Sequence, residues 1–232
     1  MEVQRLAALQ GWATICVHPE ASTERPAFAL FGSERSSPEQ ADGHIGGEVV
    51  LAIRGTASMI DVTTNLNSSP QSFPPPPSQV RAVLSAYDRW RRSTSLRDQL
   101  SASHGHAVAK RLQDMLDGQR WQWETVPPGA TYGNGGFCRA AMWLLAEVGP
   151  VLLDLAEAGW RVVVVGHSMG AAVAALLTVM LKDFLRDVSC WTYGCPPCVD
   201  AVLADDLMTS GVVTSVVIHD DVVSRISPAS IR

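Results

Sequence analysis

The sequence predicts an α/β fold, with a mostly parallel sheet and helices on both of its faces. Three observations predict it. Short β-branched runs read as buried strands, helical apolar spacing fills the intervals between them, and one run passes through a Gly-x-Ser-x-Gly turn into an alanine-rich helix.

In chain order, Met1 to Gln10 reads as a short amphipathic helix, without the basic start and long apolar core of a secretory signal. Glu48 to Ile53 is the first core strand. Asn67 to Ser78, with Phe73-Pro-Pro-Pro-Pro77, cannot continue a helix or a central strand and marks a loop. Val80 to Arg120 has a charged helical pattern with Arg81, Arg89, Arg91, Arg92 and Arg97 in its first half, so residues 67–122 form a loop and helical insertion. That insertion suits either a lid, a surface facing anionic membranes, or a solvated helix pair. Gly136 to Gly159 repeats apolar residues at helical spacing, among them Ala140, Leu144, Leu145, Val148 and Leu152. Strands follow at Arg161 to Val165, Val188 to Tyr193 and Val213 to Ile218, with a helix from Met169 to Leu185.

A chain of 232 residues that is 47% hydrophobic can bury one full core, so residues 1–232 are expected to form a single domain. The formal net charge of −5 and the absence of a basic face argue against nucleic acid as a partner. The apolar run from Gly166 to Leu181 is interrupted by the Gly-x-Ser-x-Gly turn, and reads as strand plus core helix rather than a membrane span. Five cysteines and no export signal favour reduced thiols. Cys195-Pro-Pro-Cys198 has no second ligand pair, so neither a metal nor a redox centre is read from it. A cytoplasmic or peripheral membrane location is expected.

Gly166-His-Ser-Met-Gly170 between a strand and a small-residue helix has the pattern of a nucleophile elbow. Such a turn strains the serine backbone and holds its hydroxyl clear of the sheet, which makes Ser168 the candidate nucleophile. Side chains at Gly166 and Gly170 would collide across the turn, and Ala171, Ala172, Ala174 and Ala175 allow close helix–sheet packing. The Met169 N–H, at the positive end of the helix, can receive charge developing on an attacked carbonyl oxygen. Acyl transfer also needs a base, an acid that orients it and a second oxyanion donor. Ile53-Arg-Gly-Thr-Ala-Ser58 leaves a strand where open α/β sheets place their ligands, so Thr56 is the candidate second donor. Asp220 and Asp221 follow the last strand and are candidates for the orienting acid.

These motifs together resemble the class 3, or fungal-type, lipases. The resemblance rests on the strand ending in R-G-T, on Asp61-Val-Thr-Thr-Asn-Leu66, on the elbow, on Tyr193-Gly-Cys-Pro-Pro197 and on Asp221-Val-Val-Ser-Arg225, running in order from about residue 48 to 227. The sn-1-specific diacylglycerol lipase branch is the most similar. The resemblance implies an α/β-hydrolase fold, Ser168 as nucleophile, Asp221 rather than Asp220 as triad acid, and Thr56 with Met169 as the oxyanion hole. It implies an acylglycerol or other lipid ester as substrate; peripheral membrane contact is an expectation from the arginine-rich insertion, and no motif calls for a cofactor or metal. Three positions depart from the family pattern: Asn134 for histidine in H-x-G-F, Asn65 for aspartate, and Ser224 for the proline of D-x-V-P-R.

The base is the larger departure. The family order is serine, aspartate, histidine, yet no histidine follows His219. His219, two positions before Asp221, is a candidate base, whereas His167 lies within the elbow, where the family often carries a histidine that is not the base. His104 and His106 lie in the insertion, His44 precedes its strand, and His18 has no identifiable partner. The fold is therefore expected to be incomplete at its C-terminus, in a truncated lipase. The alternative is a catalytically impaired lipid-binding or interaction domain on the same fold.

Overall fold

A computed structural model describes residues 2–22, 24–33, 47–55, 69–93 and 129–225, with the backbone alone at 2, 3 and 86–93. Its elements are α1 (Glu2–Leu9), β1 (Ala13–His18), β2 (Phe28–Ser33), β3 (Glu48–Ile53), β4 (Pro70–Ser72), α2 (Pro77–Ser93), β5 (Tyr132–Asn134), α3 (Gly135–Glu157), β6 (Arg161–His167), α4 (Met169–Leu181), β7 (Val188–Tyr193), α5 (Ala201–Ser210) and β8 (Val213–Val216). A single 3-10 turn follows at Val223–Arg225.

Six strands form one sheet in the order β1-β2-β3-β6-β7-β8. The first three pair antiparallel, and β3, β6, β7 and β8 pair parallel. The sheet is thus mixed, with its parallel half carrying the elbow. β1 and β2 are strands the sequence reading lacked. β1 is an almost wholly exposed strand, so burial leaves no alternation in its sequence. The Pro-rich segment also holds more structure than a loop: Pro70–Ser72 pairs with Tyr132–Asn134, and Pro77 opens α2, a position where a missing N–H costs nothing. Boundaries move elsewhere by a few residues, with β8 ending at Val216 and α4 at Leu181.

Register explains which sheet face holds the core. Val49, Leu51 and Ile53 lie beside Val162, Val164 and Gly166, and these beside Val188, Cys190 and Thr192. All of these except the half-buried Val188 are buried. Helix α4 packs on this face, and all thirteen of its residues are buried. A helix buried all round needs a second cover, and α3 supplies it, packing against α4. The alanines at 171, 172, 174 and 175, expected to let this helix lie close to the sheet, are all buried. The intervening residues of β7, Trp191 and Tyr193, point to the opposite face and are 42% and 45% exposed.

Helix α3 is long and apolar enough to cross a membrane, but it is mostly buried and serves as a core helix. Its N-cap is Asn134, whose side-chain oxygen accepts from the N–H groups of Gly136 (3.1 Å) and Phe137 (3.3 Å). The asparagine at this departure from the family pattern therefore has a structural task. His18 is explained by packing as well: it stacks on Phe28 at 5.5 Å, and Trp143 meets both rings edge-on. Arg81 lies over the Phe184 ring at 5.8 Å, tying α2 to the turn after α4. The side chains of Arg89, Arg91, Arg92 and Arg97 lie outside the described residues, as do residues 94–128, which include His104 and His106.

Candidate active site

Ser168 stands between β6 and α4 with φ 56° and ψ −126°, a strained conformation for a residue with a side chain. Three hydrogen bonds hold it there. Its N–H donates to the carbonyl of Tyr193 at 2.9 Å, and its own carbonyl accepts from Ala171 (2.9 Å) and Ala172 (3.3 Å). Although Ser168 is the N-cap of α4, its side chain makes no capping hydrogen bond. The hydroxyl is therefore not consumed by the helix end, and the residue is half-buried rather than entombed.

The two elbow glycines answer to distances. A Cβ on Gly166 would lie 2.2 Å from the carbonyl oxygen of Gly170, and one on Gly170 would lie 2.5 Å from the carbonyl oxygen of Ile53. Gly55 belongs to the same packing, since a Cβ there would meet the His167 carbonyl oxygen at 2.5 Å and the Ser168 Cβ at 3.2 Å. The turn that leaves β3 thus runs directly against the nucleophile turn. Thr56, the next residue, lies outside the described residues, as do Asp61, Asn65 and His44. Met169 opens α4 and is buried.

Asp221 follows β8 and is held by its own turn. Its Oδ1 accepts from the Val223 N–H at 3.0 Å, and its N–H donates to the Ile218 carbonyl at 2.9 Å. Arg225 closes that turn, its Nη2 donating to the His219 carbonyl at 2.8 Å. This accounts physically for the arginine of D-x-V-x-R. The other carboxylate oxygen, Oδ2, faces Gly194, lying 2.7 Å from the position a Cβ would take. The His167 Nε2 is 3.9 Å from that same position. Asp220 is exposed beside it.

Neither histidine ring at the site bonds Asp221 among the described residues. His219 sits at φ 37° and is exposed, and it contributes its backbone carbonyl to the Arg225 contact. Three features of the site were not read from the sequence: the Tyr193 carbonyl, the Gly194 seat and the Val223 N–H. Only the Y-G-x-P-P motif hinted at the second, without its reason.

The cysteines near β7 do not form a reactive centre. Burial pushes the thiols of Cys138 and Cys190 up to about 12, and Cys195 is pushed up by its hydrogen bond to Cys198 and then by burial. Such thiols stay protonated at neutral pH and act as small apolar groups. Among the described residues no cluster of histidine, cysteine, aspartate or glutamate could hold a metal ion.

A parallel sheet entering a strained serine turn, with a carboxylate after the last strand, defines an α/β hydrolase. The family model for lipase (class 3) matches residues 50–231. The chain belongs to the class 3 lipase family. Its fold is similar to that of a fungal lipase solved with an inhibitor as a model for interfacial activation (TM-score 0.58, 16% identity, 97% of this chain and 64% of that one). It is also similar to the Rhizomucor miehei lipase propeptide complex (TM-score 0.57, 17% identity, 97% and 53%) and to the Lip2 lipase of Yarrowia lipolytica (TM-score 0.53, 17% identity, 96% and 64%). The chain spans less than two thirds of the length of each of these lipases. No curated protein matches it in sequence.

Proposed function

We propose that the chain is the serine-hydrolase core of a lipase that cleaves acylglycerol esters, of the diacylglycerol type, through an acyl-enzyme. The observation that carries this reading is the strained Ser168, with its hydroxyl free of helix capping, at an elbow that also touches the turn leading to Thr56. Ser168 attacks the ester carbonyl as its proton passes to a base, and the base gives that proton to the departing glyceride alcohol as the ester C–O bond breaks, which leaves the acyl group on Ser168. The Met169 N–H, at the start of a helix, and Thr56 stabilise the oxyanion. Asp221 orients the base, its Oδ1 fixed by Val223 and its Oδ2 left for a partner. Water then releases the acid. Work on an acylglycerol implies contact with a lipid surface, with the protein cytoplasmic or peripherally bound to a membrane.

The base has two proposed sources. One is His219, two residues before Asp221. The other is a histidine from sequence beyond Arg232 in a longer protein, a reading supported by the length of the similar lipases. If the base is absent, turnover falls by a factor on the order of 10⁶, the loss found when the histidine of the same kind of triad is removed on an unrelated fold. The second reading, a catalytically impaired lipid-binding domain, is favoured by one observation: among the described residues no histidine ring bonds Asp221.

Hydrolysis of emulsified diacylglycerol and of p-nitrophenyl esters by residues 1–232 tests these readings. Ser168-dependent turnover that His219→Ala abolishes assigns the base to His219. Very slow turnover, restored by a longer chain, assigns it beyond Arg232. Tight binding of diacylglycerol vesicles with no Ser168-dependent turnover in either chain favours the lipid-binding domain.

A further inference from the structure

We propose that Gly194 is a positioning residue for the triad acid: its missing side chain is what allows the Asp221 carboxylate to sit where a base can reach it. The inference rests on the acid role of Asp221 in the proposed function. Gly194 lies at φ 56°, directly after β7, and its N–H donates to the Val216 carbonyl at 3.0 Å. It is thus pinned to the end of β8, the strand that leads to Asp221. The residue before it, Tyr193, accepts the Ser168 N–H. One dipeptide therefore holds the nucleophile turn with a carbonyl and makes room for the acid with a hydrogen.

The distances leave little slack. A Cβ at 194 would lie 2.7 Å from Asp221 Oδ2, well inside contact distance. A carboxylate on an untethered side chain would swing away at little cost. This one is tethered, because Oδ1 accepts from Val223 and the Asp221 N–H from the same turn donates to Ile218. Displacing Oδ2 breaks or bends the Val223 bond. The His167 Nε2 lies 3.9 Å from the same position, so an imidazole as well as the carboxylate borders the space a side chain at 194 would fill.

Gly211 supplies an internal control. It shares the left-handed backbone, at φ 67°, but a Cβ there meets nothing within 4 Å. Gly211→Ala therefore carries the conformational cost of alanine in this region without the collision.

The experiment is a double-mutant cycle in whichever chain, residues 1–232 or the longer one, shows Ser168-dependent ester turnover and so contains the base, read as the rate of Ser168 labelling by a fluorophosphonate probe. Gly194→Ala is expected to slow labelling on the order of 10²-fold, the scale of a misplacement of about 1 Å. In the Asp221→Ala background the same change is expected to matter by less than about threefold, because Gly194 acts through the carboxylate. Gly211→Ala is expected to leave labelling unchanged. An equal slowing by Gly194→Ala with and without Asp221, or no slowing at all, overturns the inference while leaving the proposed function standing, provided Asp221→Ala itself slows labelling. If Asp221→Ala alone has no effect, the acid role fails and the inference fails with it. Should Gly194→Ala prevent folding, the double variant with Asp221→Ala is expected to fold, since the colliding oxygen is gone. A double variant that also fails to fold overturns the inference.

Discussion

The Ser168 N–H and the Tyr193 carbonyl meet at 2.9 Å, which ties the turn after β6 to the last residue of the neighbouring strand β7. The bond matters because a serine at φ 56° is costly, on the order of 1–3 kcal/mol, and persists only where its surroundings over-determine it. The surroundings here are glycines with no room for a Cβ and a helix buried between the sheet and α3.

Gly170→Ala tests that packing. Its Cβ would meet the backbone at the end of β3, with the Ile53 carbonyl oxygen at 2.5 Å, and backbone cannot rotate aside as a side chain can. The expected result is a loss of about 1–3 kcal/mol or failure to fold, measured by chemical denaturation. A variant as stable as the parent would show that α4 can shift on the sheet.

Asp200 joins two distant segments. Its Oδ1 caps α5 by accepting from Leu203 at 2.9 Å, while Oδ2 accepts from the Tyr132 N–H at the start of β5. Asp200→Ala removes both acceptors, and a loss of about 1–2 kcal/mol is expected in urea unfolding. Asp200→Asn, which keeps a capping oxygen, is expected to lose less.

Ser224 stands where the family carries proline, and its hydroxyl is buried without a hydrogen-bond partner among the described residues. An unpaired buried hydroxyl opposes folding. Ser224→Ala is therefore expected to raise stability by about 1 kcal/mol with ester turnover unchanged, seen as a higher Tm. A lower Tm would mean that the hydroxyl has a partner in the folded protein.

Much of this architecture was legible in the sequence, and the reason is burial. Glu48–Ile53 and Val188–Tyr193 were read to the residue because each is a mostly apolar or β-branched run with a strand on either side of it in the sheet. The elbow was legible because its two glycines and the alanines after it form one contiguous motif, although Gly170 answers to Ile53 far along the chain. β1 was not, since an exposed edge strand needs no apolar pattern. Nor was the role of Gly194, whose constraint comes from a carboxylate beyond the next strand. Spacing along the chain carries no record of that contact. Thr56 was named from the R-G-T motif, and Gly55 against Ser168 brings that motif to the elbow, although Thr56 itself lies outside the described residues.

Glu147, on α3, gives a pH signature. Burial raises its carboxyl above the ordinary 4.5, partly countered by Arg25. Between that ordinary value and the raised one, the folded chain keeps a proton that the unfolded chain has released, so stability falls as pH rises through this window. Glu147→Gln has no proton to lose there. Its Tm advantage over the parent is expected to be smallest below about pH 4 and to grow to a plateau towards neutrality. An advantage independent of pH would contradict the burial of this group.

The central claim is that Ser168 is the nucleophile, and covalent trapping tests it most directly. Folded residues 1–232 would be treated with a fluorophosphonate probe, digested, and the adduct located by mass spectrometry. The account predicts one modified site, Ser168, lost in Ser168→Ala and in heat-unfolded protein. An adduct on another residue, or none on Ser168 after prolonged treatment of the folded chain, would contradict it.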